Sequence, residues 1–72
     1  MYTIYSKDSC GSCIQAKQLL EMKEQEFTYK VLNTDYTLSE FMKIAPKTHK
    51  TFPLIFKDDV YLGGLKELKL EF

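Results

Sequence analysis

The segment Cys10-Gly11-Ser12-Cys13 lies between a short β-like run, Tyr2 to Tyr5, and a run of helical periodicity that begins near Cys13. This context predicts that Cys10 lies at the N-terminus of a helix. The first backbone N–H groups of a helix have no internal acceptor, and the aligned peptide dipoles place partial positive charge there. A thiolate at that position is stabilised over a thiol, which lowers the pKa of such a cysteine. Because only two residues separate the cysteines, their sulfurs can meet within one helical turn, and the pair can cycle between dithiol and disulfide.

The length and charge of the chain narrow the function classes. Its 72 residues fit one domain, residues 1–72, with one hydrophobic core. Ten acidic residues balance ten basic ones, so the overall charge gives no indication of nucleic acid or an anionic membrane as a partner. No apolar stretch approaches the ~20 residues that span a bilayer. Met1 leads directly into the first β-like run, which leaves no room for a secretory signal, and we expect a reducing, cytoplasmic setting.

The hydrophobic pattern predicts two helices and a second strand after the cysteines. Helical spacing gives a first helix of about three turns, and alternation from Phe27 to Val31 gives the strand. Thr37 and Glu40 have capping-box spacing at the start of the second helix, which Pro46 ends. The apolar positions are Cys13, Ala16, Leu19 and Leu20 in the first helix, and Leu38, Phe41, Met42 and Ala45 in the second.

The C-terminal part of the chain predicts a hairpin and a short helix. Two apolar runs, 54–56 and 60–62, flank Asp58-Asp59, and Gly63-Gly64 closes the hairpin. One face of the terminal helix carries Leu65, Leu68 and Phe72. The order is β-α-β-α-β-β-α. Because a strand–helix–strand unit joins parallel strands by a right-handed crossover, we expect an α/β fold with a four-stranded mixed sheet flanked by helices. The cysteines then lie beyond the C-terminal end of the first strand, where open α/β sheets place their reactive crevice.

Two other interpretations of the cysteine pair stay open from the residues alone. A CxxC also supplies half of many zinc sites, but these usually need four Cys or His ligands, and only His49 could add one here. The cysteines could also be small apolar core residues. Their position between a strand and a helix favours a redox role, and so does the small entropy change from closing so short a loop.

Three further motifs could contribute to a redox site. Lys7, three residues before Cys10, could place a cation near the sulfur or bind a ligand carboxylate, or it could be a solvated lysine. Thr51-Phe52-Pro53 either marks the start of a strand or forms a cis-proline loop that faces the cysteines. Gly63-Gly64 is either hairpin chemistry or a place where backbone N–H groups approach an anionic ligand.

Together and in this order, these motifs resemble the glutaredoxins of the thioredoxin-like fold group along the whole chain, in the minimal dithiol form of short bacterial and phage members. The resemblance implies that Cys10 is the nucleophile and Cys13 the resolving thiol. It implies that Pro53 is cis and that the backbone of Phe52 pairs with the cysteinyl part of glutathione. The implied glutathione contacts are Lys7 and Lys50 for the glycine carboxylate, Thr51, Phe52 and Pro53 along the cysteinyl part, and Gly64, Leu65 and Lys66 for the γ-glutamyl carboxylate.

Three positions depart from the family pattern. Gly11-Ser12 stands where the family often has Pro-Tyr, which bears on redox potential and cluster binding. Phe52 stands where valine is common, so the rim of the groove is bulkier. Lys66 stands where Asp usually holds the γ-glutamyl amine, and lysine cannot replace that acceptor. Glu67 either compensates from the next position or points away, and we expect weaker glutathione affinity than in a family member with Asp.

The resemblance implies a glutathione-dependent thiol–disulfide oxidoreductase that reduces protein–glutathione mixed disulfides and protein disulfides, with glutathione as co-substrate. One alternative is a redoxin that thioredoxin reductase reduces and that serves ribonucleotide reductase. Another is a carrier or sensor in which two chains bridge a [2Fe–2S] cluster through Cys10 and two glutathione thiols; otherwise no metal is expected. The expected partners are glutathione and disulfide-bearing or glutathionylated proteins, without nucleic acid or membrane, and a monomer is expected.

Overall fold

The fold is built on a four-stranded mixed sheet in the order β2-β1-β3-β4, seen in a computed structural model that describes residues 1–72. The elements are β1 (Tyr2–Ser6), α1 (Gly11–Met22), β2 (Phe27–Val31), α2 (Leu38–Ile44), β3 (Leu54–Lys57), β4 (Val60–Gly63) and α3 (Leu65–Lys69). In the sheet, β1 pairs parallel with β2 and antiparallel with β3, and β3 pairs antiparallel with β4. The predicted α/β fold and the order of its elements are confirmed.

The helices pack against both faces of the sheet, because successive strand residues point to opposite sides. The core against α1 and α3 consists of Tyr2, Ile4, Ala16, Leu20, Ile55 and Leu68. The core against α2 consists of Tyr36, Phe41 and Leu54. Leu54 and Ile55 are neighbours in β3 and lie in different cores, so this strand is covered on both sides. No helix of this fold is long and apolar enough to cross a membrane.

Paired polar groups hold the end of β1, where the chain leaves the sheet toward the cysteines. The hydroxyl of Tyr36 donates to the carbonyl oxygen of Ser6 at 2.5 Å, and the Ser6 hydroxyl donates to the carbonyl of Lys30 at 2.6 Å. Burial raises the pKa of Tyr36 from 10.0 to about 12, and the nearby Tyr5 and Tyr29 add to the effect. The end of β1 is therefore tied to β2 and to the segment before α2.

The second helix forms as predicted, but its apolar stripe is not all buried. Thr37 and Glu40 make the predicted capping box, with Thr37 N–H donating to Glu40 Oε1 at 3.0 Å and Glu40 N–H donating to Thr37 Oγ1 at 3.2 Å. Phe41 is buried, whereas Leu38 is 53% exposed and Met42 is 72% exposed. Since α2 meets the sheet through the turn around Phe41, half of the stripe faces outward.

The terminal helix is shorter than its apolar pattern predicts. It ends at Lys69, so Phe72 lies beyond the helix rather than on its face. The Phe72 ring instead packs near the Tyr2 ring, with 6.3 Å between centroids. Leu68 is fully buried, so the prediction holds for the part of the pattern that is helical.

Candidate functional site

The cysteine pair lies at the start of α1, as the sequence predicts. Cys10 is the N-cap residue, and its Sγ accepts a hydrogen bond from the backbone N–H of Cys13 at 3.2 Å. The two cysteines form a disulfide with Cα atoms 5.3 Å apart. Cys13 is fully buried, whereas Cys10 is 8% exposed. Of the two sulfurs, that of Cys10 is therefore the one that a reactant can approach from outside.

The Phe52–Pro53 peptide bond is cis, as expected. Tyr5 of β1 pairs with Leu54 of β3, so Pro53 lies level with Ser6, where the chain departs for Cys10. Phe52 lies outside every helix and strand, and its backbone N–H and C=O make no hydrogen bond. This loop therefore presents a free donor and a free acceptor at the edge of the sheet from which the cysteine segment also leaves.

One of the predicted site lysines lies beside the Phe52 ring, and a second lines the same cavity as Phe52. The ammonium of Lys7 is 5.4 Å from the ring centroid, a cation–π distance. Lys50 and Phe52 line the same surface cavity, and both Lys50 and Thr51 are exposed. Lys7 and Lys50 therefore both lie near Phe52 of the cis-proline loop.

The predicted contacts around Gly64 lie next to Pro53. A Cβ placed on Gly64 would lie 3.5 Å from the carbonyl oxygen of Pro53. The side chain of Leu65 packs against the core, which leaves only its backbone for a ligand. Lys66 is exposed and forms no salt bridge.

Glu67 occupies part of this predicted anion-binding region. Its Oε1 accepts a hydrogen bond from the Gly64 N–H at 2.8 Å. That bond is the main reason why the pKa of Glu67 lies below its usual value, and the charge of Lys66 adds a smaller effect. The Glu67 carboxylate turns back onto Gly64 rather than pointing away. One amide expected to meet the γ-glutamyl carboxylate is therefore already bonded to a carboxylate.

His49 is a site residue whose role the sequence does not predict. Its Nδ1 lies 2.8 Å from the Tyr61 hydroxyl and its Nε2 lies 3.2 Å from the carbonyl oxygen of Pro53. A ring protonated at Nε2 donates to that carbonyl and accepts from Tyr61, so one neutral tautomer satisfies both contacts. The imidazole links the cis-proline loop to β4. No local motif signals this bridge, since Tyr61 lies in β4, 12 residues further along the chain.

A surface groove runs between α2 and the Phe52 loop. It has a volume of about 580 Å³ and is lined mainly by apolar side chains, including Leu38, Phe41, Met42 and Phe52. The Phe41 and Phe52 rings have centroids 4.7 Å apart, so together they form one wall. The groove therefore reaches the cis-proline loop at Phe52.

The side chains of one chain offer no ligand set for a resident metal ion. The two cysteines are bonded to each other, and nowhere do three or more His, Cys, Asp or Glu side chains lie together. His49 is hydrogen-bonded to Tyr61 and Pro53, so it does not join the cysteine pair as a ligand.

Comparisons with known proteins agree with this geometry. A family model described as glutaredoxin matches residues 2–62. The chain is 31% identical over 65 residues to a probable glutaredoxin of Synechocystis, covering 90% of this chain and 74% of that protein. It is 30% identical over 70 residues to the glutaredoxin-like protein NrdH of Lactococcus lactis subsp. cremoris, covering 97% and 94%. The crystal structure of glutaredoxin 1 from Francisella tularensis, complexed with cacodylate, superposes with a TM-score of 0.80 at 29% identity, covering 97% of this chain and 88% of that one.

Proposed function

This chain belongs to the glutaredoxin family, a family of thiol–disulfide oxidoreductases, and we propose that it reduces protein–glutathione mixed disulfides and protein disulfides at the expense of glutathione. The observation that carries the proposal is the Cys10–Cys13 disulfide at the start of α1, with Cys10 as the approachable sulfur. The peptide dipoles of a helix that begins at Gly11 favour the thiolate of its N-cap residue.

Reduction of a protein–glutathione mixed disulfide uses Cys10 alone. Its thiolate attacks the glutathione sulfur of a protein–glutathione mixed disulfide, the S–S bond breaks, and the protein leaves as a thiolate that takes up a proton. The thiolate of a second glutathione then attacks the sulfur bonded to Cys10. Oxidised glutathione leaves and the Cys10 thiolate is restored.

A protein disulfide needs both cysteines. Cys10 attacks one sulfur of the client and forms a mixed disulfide, while the other client sulfur leaves as a thiol. Cys13 loses its proton and attacks Cys10, which releases the reduced client and forms the Cys10–Cys13 disulfide. Two molecules of glutathione then reduce this bond. Because Cys13 is fully buried and Cys10 is not, the reaction partner that Cys13 can reach is a Cys10 adduct.

The proposed glutathione site lies around the cis-proline loop. Lys7 and Lys50 supply cations for the glycine carboxylate, and the free N–H and C=O of Phe52, between Thr51 and Pro53, suit a short strand addition by the cysteinyl part. The amides of Gly64, Leu65 and Lys66 remain the candidates for the γ-glutamyl carboxylate. Glu67 competes for the first of them, so we expect this end of glutathione to be held weakly.

The experiment treats three proteins with oxidised glutathione and maps the adduct by mass spectrometry. We expect the Cys13→Ser variant to gain one glutathione on Cys10 and to keep its activity on glutathionylated protein. We expect the Cys10→Ser variant to lose that activity, while the parent chain acts on both substrate types. Equal loss in the two serine variants would reject the assignment of the nucleophile.

A second candidate is a redoxin that takes its electrons from thioredoxin reductase and serves ribonucleotide reductase. It is favoured by the similarity to the NrdH protein over nearly the full length of both chains and by the Glu67 carboxylate on Gly64. An assay of insulin disulfide reduction separates the two candidate functions. It is run once with glutathione and glutathione reductase as the reductant, and once with thioredoxin reductase. Reduction by thioredoxin reductase alone would favour the second candidate.

A further inference from the structure

We propose that the groove between α2 and the Phe52 loop receives an extended segment of the protein client, carrying a large apolar side chain flanked by acidic residues. This inference rests on the proposed reduction of protein disulfides and names the class of client. The α2 groove, as we call it, is lined by Leu38, Phe41, Met42, Lys47, Lys50 and Phe52, among others.

Two apolar side chains of the α2 groove, those of Leu38 and Met42, are not used by the fold. Leu38 and Met42 belong to the helical stripe that the capping box starts, yet both remain largely exposed beside a groove of about 580 Å³. That volume lies within the range of about 300–1,000 Å³ typical of ligand sites. Glutathione has no large apolar side chain, so it does not match this surface, whereas a leucine, methionine or phenylalanine of a polypeptide does.

The charges at the α2 groove are of one sign. Its lining includes Lys47 and Lys50 and contains no carboxylate. The nearest acidic residue of α2, Glu40, is engaged with the N-cap residue Thr37. Acidic residues next to the apolar anchor would therefore meet cations without opposing charge. A second copy of this chain is a poor occupant, because a symmetric contact at this face would bring its lysines together.

The backbone of Phe52 gives the segment its direction. The N–H and C=O of Phe52 are free, so they can pair with an extended chain in the manner of an added strand. The ring of the same residue forms a wall of the α2 groove through its contact with Phe41. A client whose disulfide cysteine reaches Cys10 can thus pair with Phe52 and continue into the groove.

The test uses a pair of surface methionines as variant and matched control. Met42→Glu places a carboxylate in the groove, whereas Met22→Glu changes a methionine of similar exposure, 78% against 72%, at the far end of α1. The substrates are a peptide disulfide with a Leu-Asp-Glu sequence beside its cysteine, the same peptide with Ser-Lys-Lys there, and the small mixed disulfide of cysteine and glutathione. Each peptide is made in two forms, with the flanking sequence before the cysteine and after it.

We expect Met42→Glu to lower kcat/KM for the apolar–acidic peptide, relative to the small substrate, by about tenfold, through KM. Met22→Glu leaves that ratio unchanged. Lys47→Glu should lower kcat/KM for the acidic peptide and raise it for the basic peptide. Urea unfolding of each variant checks that the fold is intact.

Binding of the acidic peptide with serine in place of cysteine, measured by fluorescence anisotropy, tests the groove without turnover. Loss of that binding in Met42→Glu supports the groove even if the chain reduces no disulfide, in which case only the proposed function fails. The inference is overturned if both methionine variants behave alike, if the small substrate is affected as strongly as the peptide, or if sedimentation shows that Met42→Glu dissociates a dimer of the parent chain.

Discussion

Replacement of Gly63 by alanine tests why a glycine pair stands between β4 and α3. Gly63 is buried and has a φ of +133°, a conformation that residues with a side chain adopt only under strain. An added Cβ would lie 2.6 Å from Cγ and 2.7 Å from Oε1 of Glu67, so the Glu67 side chain would have to move. Its hydrogen bond from the Gly64 N–H would then be lost.

The expected cost follows from these two effects. Strain at a glycine-only backbone conformation costs about 1–3 kcal/mol, and loss of a helix-capping interaction costs about 0.5–2 kcal/mol. We therefore expect Gly63→Ala to lower the free energy of unfolding by roughly 2–4 kcal/mol, a large part of the ~3–5 kcal/mol that a core of this size provides. With a urea m-value near 1–2 kcal/mol/M, the midpoint should fall by about 1–4 M.

The chain offers a control glycine in the same protein. A Cβ on Gly11 would meet nothing within 4 Å, so Gly11→Ala should change the unfolding free energy by less than about 1 kcal/mol. The assay is urea unfolding of the oxidised proteins, followed by circular dichroism. In a Glu67→Ala background the cost of Gly63→Ala should shrink without vanishing, because the 2.9 Å contact with the Glu67 Cβ remains. Equal midpoints for Gly63→Ala and Gly11→Ala would refute this reasoning and leave ligand contact as the reason for the glycine pair.

Three further outcomes are expected. Lys66→Asp should lower the KM for glutathione several-fold by restoring an acceptor for the γ-glutamyl amine; an unchanged KM would contradict that assignment. Because burial raises the pKa of Tyr36 to about 12, the folded chain favours the neutral hydroxyl. The stability from this group is thus complete below pH 10 and should be lost between pH 10 and about 12; urea unfolding should show this slope in the parent and not in Tyr36→Phe. His49→Ala should raise the KM for a protein disulfide about fivefold, the effect of losing roughly one hydrogen bond, because the Pro53 carbonyl loses its partner. His49→Gln should recover part of the loss. Equal KM values for the parent and the alanine variant would argue against a positioning role.

Local patterns in the sequence determined the elements and their order. The capping box of Thr37 and Glu40, the turn at Asp58-Asp59 and the placement of Cys10 at a helix start each depend on residues within a few positions of one another, so each could be predicted and is found. The same locality explains why the cysteine pair could be assigned a redox role before any contact was known.

Contacts between distant segments decided the rest of the candidate site. His49, in the loop before β3, reaches Tyr61 in β4, and the exposure of Met42 depends on how α2 meets the sheet. Hydrophobic periodicity identifies an apolar stripe but does not give the width of the surface that covers it, so the α2 groove could not be predicted. Which sulfur stays approachable is likewise set by packing, because the core buries Cys13 and leaves Cys10 at its edge.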